Sequence, residues 1–248
     1  MTFSARHESA DAACAERVLD ALEERRLRLE DHFEFTPDED LTVIIHPSPA
    51  WLAAAHPFLP AARLAAAPAG RRYLAGLAMA SELHVLSDEH LMRRAAGRDS
   101  LTALLGTAER LYAQLVIGGE NERLPPPWGP GRFLRYLRWS WLVEGGAQYF
   151  SGQTPLFRAA VSTRMRGSRR PSFPPSQRDA IILGGTIFDL LERRRGLDAC
   201  HVLVSRLRRS GADSAIEIAF DQPASEVEAQ WRRYLAEEIP RGGIERFA

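Results

Sequence analysis

Along this chain, stretches with apolar residues at helical spacing alternate with a few short β-branched runs. Over residues 9–31, Ala15, Val18, Leu22 and Leu29 share one stripe while "EERRLRLE" supplies a charged face, which predicts an amphipathic helix. "LTVIIHPS" (41–48) is apolar and β-branched and is stopped by Pro47, so it predicts a strand. "PAWLAAAHPFL" predicts a short helix, and "YLAGLAMASELHVLS" (73–87) predicts one long strand or two short ones. Leu101, Leu104, Leu105, Ala108, Leu111, Tyr112 and Leu115 then follow the i, i+3, i+4, i+7 rule. They predict a helix over 100–117, capped by Asp99 or Ser100 and ended by Gly118 and Gly119.

Beyond it, "ERLPPPWGPGRF" (122–133) predicts a loop and "RWSWLVEGGAQYF" (138–150) a second helix. "RMRGSRRPSFPPSQ" (164–177), rich in Arg, Pro and Ser, predicts a mobile linker. Four helical stretches follow: "RDAIILGGTIFDLLERRR", "LDACHVLVSRLRR", "ADSAIEIAF" and "ASEVEAQWRRYLAEEI". The pattern divides the chain into an α/β lobe, 1–152, and a helical lobe, 153–248, with the linker at about 164–177.

Composition narrows the function classes. With 45% apolar and 26% charged residues over 248 positions, a packed core is expected. A formal net charge of +0 gives no basic field for nucleic acid. All 32 Lys and Arg positions are Arg, so lysine nucleophiles and Schiff bases are excluded. The two cysteines, Cys14 and Cys200, lack any C-x-x-C spacing and make neither a disulfide framework nor a cysteine zinc site. The opening "MTFSARHESADAAC" has no apolar signal core, and no run of about 18 apolar residues occurs. The expectation is a soluble cytoplasmic protein with neither nucleic acid nor membrane as partner.

Several chemistries find no support. Ser140 and Ser151 lack a nucleophile-elbow sequence, and no phosphate-cradling glycine motif is present. His84 and His90 in "LHVLSDEH" miss the H-x-x-E-H spacing, with four residues before Glu89 where two are needed. Arg164, Arg166, Arg169 and Arg170 read as a solvated basic run.

The segment "WSWLVEGGAQYF" resembles the W-x-x-E-G-x-A-x-Y segment that follows H-E-x-x-H in gluzincin metallopeptidases of the peptidase-MA-like superfamily. The order of elements over residues 40–236 is similar too, down to a terminal "WRRYL". The resemblance implies an α+β, zincin-like fold: a small mixed sheet packed on an active-site-type helix, followed by a helical lobe. It implies Glu144 as the position of the third zinc ligand. In H-E-x-x-H, two histidines one helical turn apart bind Zn²⁺ and the adjacent Glu activates the bound water.

Aligned on "AERLY" (108–112), the frame keeps the general base at Glu109 but replaces the histidines with Ala108 and Tyr112. Ala108 offers no donor, and a phenol with an ordinary pKa near 10 ligates poorly. Two carboxylates alone suit neither zinc nor the harder ions, which take six or more oxygens. The expectation is therefore a catalytically inactive, metal-free and cofactor-free protein that uses the former cleft as a binding or scaffolding surface. Glu82, Leu83, His84 and Val85 would form an edge strand able to pair with an extended peptide segment. A hydrolase with non-standard ligands and a structural or oligomerisation module are the alternatives. The same frame predicts a hydrogen bond from the Tyr112 hydroxyl to Glu144, and Gly145 and Gly146 where the metal helix approaches closely.

Overall fold

The computed structural model describes residues 1–33, 37, 40–121, 123–205, 207 and 211–238. The chain is a mixed α+β protein. It opens with β1 (Phe3–Arg6), α1 (Ala12–Glu30), β2 (Leu41–His46), α2 (Pro49–Ala55), α3 (Phe58–Ala65), α4 (Pro68–Arg71), β3 (Gly76–Ala78) and β4 (Glu82–Leu86). It continues through α5 (Asp88–Arg94), α6 (Arg98–Leu105), α7 (Thr107–Gly119), α8 (Pro130–Phe150), α9 (Arg158–Met165), α10 (Ala180–Arg195), α11 (Leu197–Ser205), α12 (Ala212–Phe220) and α13 (Ala224–Glu238). The strand at 41–47 and the four late helices lie where the pattern placed them. Residues 206, 208 and 209 of "LDACHVLVSRLRR", the second of those four stretches, fall outside the described residues, as do residues 210 and 122.

The sheet has the order β1-β2-β4-β3, with β1, β2 and β4 parallel and β3 antiparallel to β4. Alternation along the strands explains its two faces. Leu41, Val43, Ile45, Leu83 and Val85 are buried, on the side covered by α1 and α7. Thr42, Ile44 and His46 point the other way and are half-buried, with α2 lying against β2 and β4. The 73–87 stretch resolves into two strands because the chain turns at 79–81, where the Met79 N–H bonds the Glu82 carbonyl at 2.7 Å.

That topology corrects the edge-strand expectation. Glu82, Leu83, His84 and Val85 are in β4, whose two edges are already occupied by β2 and β3. The outer edge belongs to β3, and there the Trp128 indole N–H donates to the Ala78 carbonyl at 2.7 Å.

Two helices differ from their predicted extents. The 100–117 stripe is split at Gly106 into α6 and α7, because the Gln153 side-chain amide bonds the Gly106 carbonyl at 2.5 Å. A Cβ at residue 106 would lie 2.5 Å from that amide nitrogen, so a larger residue there would have to displace the Gln153 side chain. Helix α8 starts at Pro130 and not at 138, with the proline in the first turn, where its missing N–H costs nothing. Strand β1 and helices α3, α4, α5 and α9 were not foreseen.

A single buried cluster joins both halves, running from Leu22, Val43 and Leu111 to Phe188, Leu203, Ile216 and Trp231. Helices α8 and α10 cross backbone against backbone: a Cβ on Gly145 would sit 2.5 Å from the Gly184 carbonyl carbon. The close approach at Gly145 therefore comes from α10 and not from the predicted metal helix. Helix α7 reaches the neighbouring Gly146 through Ile117, 3.0 Å from a Cβ there. Past Met165 the predicted linker contains no helix. It is tied at its ends by Arg164, which bonds both Asp179 oxygens at 2.7 Å, and the Phe173 ring lies 5.3 Å from Trp231. Among the described residues no helix is long and apolar enough to cross a membrane.

Candidate functional site

The polar centre of the core is Glu144 of α8, 3% exposed. Two residues of α7, Arg110 and Gln114, reach it from one face, being four positions apart and hence about one turn. The Arg110 guanidinium, 2% exposed, donates from Nη1 to Glu144 Oε2 at 2.7 Å and from Nη2 to the Tyr73 carbonyl at 2.9 Å. Gln114 Nε2 donates to Glu144 Oε1 at 2.6 Å, and the Tyr136 hydroxyl, two turns earlier on α8, donates to the same oxygen. Burial first, and then the Glu144 charge, hold the Tyr136 phenol well above its ordinary range, so it stays protonated as a donor.

The arrangement is a carboxylate saturated by three donors, one of them cationic. Guanidinium has five N–H groups and no lone pair to offer a metal. The Gln114 nitrogen and the Tyr136 hydroxyl are both spent on Glu144. Among the described residues, no group of three or more His, Cys, Asp and Glu side chains is placed to hold a metal ion. The donor set thus does not fit the zinc that a gluzincin requires. The cavity touching Glu144 and Tyr136, lined also by Ala66, Leu74, Leu137 and Ile181, has a volume of about 10 Å³, room for a single water.

The residues singled out from the "AERLY" frame do not meet Glu144. Ala108 and Tyr112 are 2% and 0% exposed and belong to the apolar core. The Tyr112 ring stands edge-on to Phe3 of β1 at 5.6 Å, and its hydroxyl has no hydrogen-bond partner among the described residues. The expected Tyr112–Glu144 hydrogen bond is therefore absent. Glu109 lies nearest the arginines of α1. Burial raises its pKa, while Arg25 and then Arg17 pull the other way. The physical reason is that Ala108 and Tyr112 lie two residues before Arg110 and Gln114, roughly 200° around the helix at 100° per residue, and so on its opposite side.

The residues of α7 that face Glu144 are Arg110 and Gln114, at the two ends of "RLYAQ" (110–114). The available signal was an arginine, Arg110, set between Ala108, Leu111 and Tyr112. A charge there demands a buried partner.

No protein family, curated protein or solved structure matches the chain in comparison. The assignment of a function therefore rests on the geometry around Glu144.

Proposed function

We propose that this chain is a zincin-like protein in which an internal arginine has taken the place of the metal, and that it works as a binding or scaffolding protein and not as a peptidase. The observation that carries the reading is the placement of Arg110. It projects, with Gln114 at i+4, from the helix beside a short mixed sheet toward the Glu of an E-G helix. In a gluzincin that point holds a dication bridging the same two helices. Here the guanidinium supplies the positive charge, satisfies the carboxylate and bonds the Tyr73 carbonyl just before β3.

Hydrolysis would need an activated water and a group to polarise the scissile carbonyl. The site offers neither a metal-binding donor set nor a base beside it, since Leu111 occupies the adjacent position. The small cavity beside Glu144 and the Trp128 bond to the Ala78 carbonyl support a binding surface on the exterior of the fold. The test is metal content and proteolysis together. Protein incubated with excess Zn²⁺ and then desalted is expected to retain no stoichiometric zinc and to leave unstructured casein intact. About one zinc per chain, lost in Glu144→Gln, would overturn the reading.

A further inference from the structure

On the outer face of the sheet two histidines meet, and a third lies within reach of their charge. His46 Nε2 lies 2.9 Å from His84 Nδ1, and His84 Nε2 lies 3.2 Å from Glu82 Oε2. The two rings are stacked, 17° apart in plane with centroids at 5.2 Å. The third, His56, is the residue that closes α2, and its Nδ1 accepts a long hydrogen bond from the Phe58 N–H at 3.4 Å. Its ring packs 5.3 Å from Phe58 and 6.0 Å from Trp128.

The hydrogen-bond directions fix the protons. Glu82 can only accept, so His84 Nε2 carries hydrogen and the neutral His84 offers a lone pair at Nδ1. His46 Nε2 is then the donor, and His46 Nδ1 keeps the free lone pair. One proton at His46 Nδ1 leaves this chain of bonds intact. A second, at His84 Nδ1, turns the 2.9 Å contact into donor against donor. Protonating His56 likewise removes the lone pair that the Phe58 N–H requires.

These groups bracket one weakly held element. Helix α2 begins three residues after His46, ends immediately before His56, and packs against β2 and β4, the strands that carry His46 and His84. Of its seven residues, Leu52 is the buried one, and Trp51 is 66% exposed. The charged groups facing the cluster are Glu82 of β4 and, 3.8 Å from Glu82, Arg6 of β1. One carboxylate, partly shared with an exposed arginine, cannot balance three imidazolium charges.

From this geometry we infer that His46, His84 and His56 form a proton-sensing site that holds α2 on the sheet when neutral and releases it when charged. Burial lowers all three pKa values, with the His84 charge adding for His46 and His56 and Glu82 opposing it for His84. The release therefore falls below the ordinary histidine value of 6.5.

Hydrogen exchange decides it. Amide protection of residues 49–55 is compared with that of α10 at pH 7.5 and 5.0, after correction for intrinsic exchange rates. In the wild type, α2 is expected to lose protection at least about tenfold more than α10 on acidification. In His46→Gln/His84→Gln/His56→Gln, where glutamine keeps hydrogen-bonding capacity without titrating, the two elements should change together. Parallel change of α2 and α10 in the wild type, or an excess loss that survives in the variant, would overturn the inference. Nuclear magnetic resonance titration of the wild type gives an independent check, because three imidazoles titrating at or above 6.5 would also overturn it.

Discussion

Removing Arg110 should damage this protein far more than removing an ordinary arginine. Arg110→Met keeps the length of the stem and deletes the charge together with both hydrogen bonds, to Glu144 and to the Tyr73 carbonyl. An exposed pair of this kind would contribute about 0–1 kcal/mol. Here both partners are at most 3% exposed, so the variant strands a buried carboxylate with only the neutral donors Gln114 and Tyr136. The expected loss is about 3–5 kcal/mol, a large share of a typical folding free energy of about 5–15 kcal/mol. Glu144→Gln alone strands the guanidinium and should cost a similar amount.

The double variant Arg110→Met/Glu144→Gln is more informative. The glutamine carbonyl can still accept from Gln114 and Tyr136, and no unpaired charge remains. The double variant should therefore be less destabilised than the sum of the singles by at least about 2 kcal/mol. Urea unfolding followed by circular dichroism, at one pH and ionic strength, measures all four proteins. Additivity within about 0.5 kcal/mol, or a single-variant cost below about 1 kcal/mol, would refute the buried-pair reasoning.

Three further expectations test the surroundings. Tyr112→Phe removes a buried hydroxyl that has no partner among the described residues, so urea unfolding should show no loss and a gain of up to about 1 kcal/mol. Gly145→Ala forces a Cβ to within 2.5 Å of the Gly184 backbone and should cost about 3 kcal/mol or more by the same assay, because neither helix can yield by rotating a side chain. For pH, the three outer-face histidines have folded pKa values below their ordinary 6.5, so the unfolded chain binds more protons in that window. Their stabilisation is complete above pH 6.5 and is lost as pH falls through the lowered values. Thermal melts between pH 7.5 and 5.0 should therefore fall on acidification, and a His46→Gln/His56→Gln protein should fall less.

Much of the architecture was legible because burial imposes periodicity. The α1 stripe, the β2 alternation and the late helices follow from apolar spacing alone. Strand β1 was not legible, since four residues reading F-S-A-R carry almost no pattern of their own. Their extension is stabilised by pairing with β2, a contact 38 positions away. The break at Gly106 was equally hidden, because it depends on Gln153 reaching back to a carbonyl across the fold.

At the site, the sequence identified Glu144 and the pairing of its helix with the 100–117 region. It missed the register. Alignment on the one carboxylate in "AERLY" favoured Glu109, whereas a saturated Glu144 needs donors, and the donors on α7 are Arg110 and Gln114. A rule that matches carboxylates could not see that the partners of Glu144 are a guanidinium, an amide and a phenol.

The central claim is that residues 110 and 114, and not 108 and 112, stand where metal ligands would. Zinc titration of two paired variants tests it directly. Arg110→His/Gln114→His should place two imidazoles beside Glu144 and retain about one zinc per chain, with binding abolished by adding Glu144→Gln. Ala108→His/Tyr112→His should gain no zinc site with Glu144, since both positions face the Phe3 side of the core. Zinc bound through Glu144 by the second variant and not by the first would contradict the account.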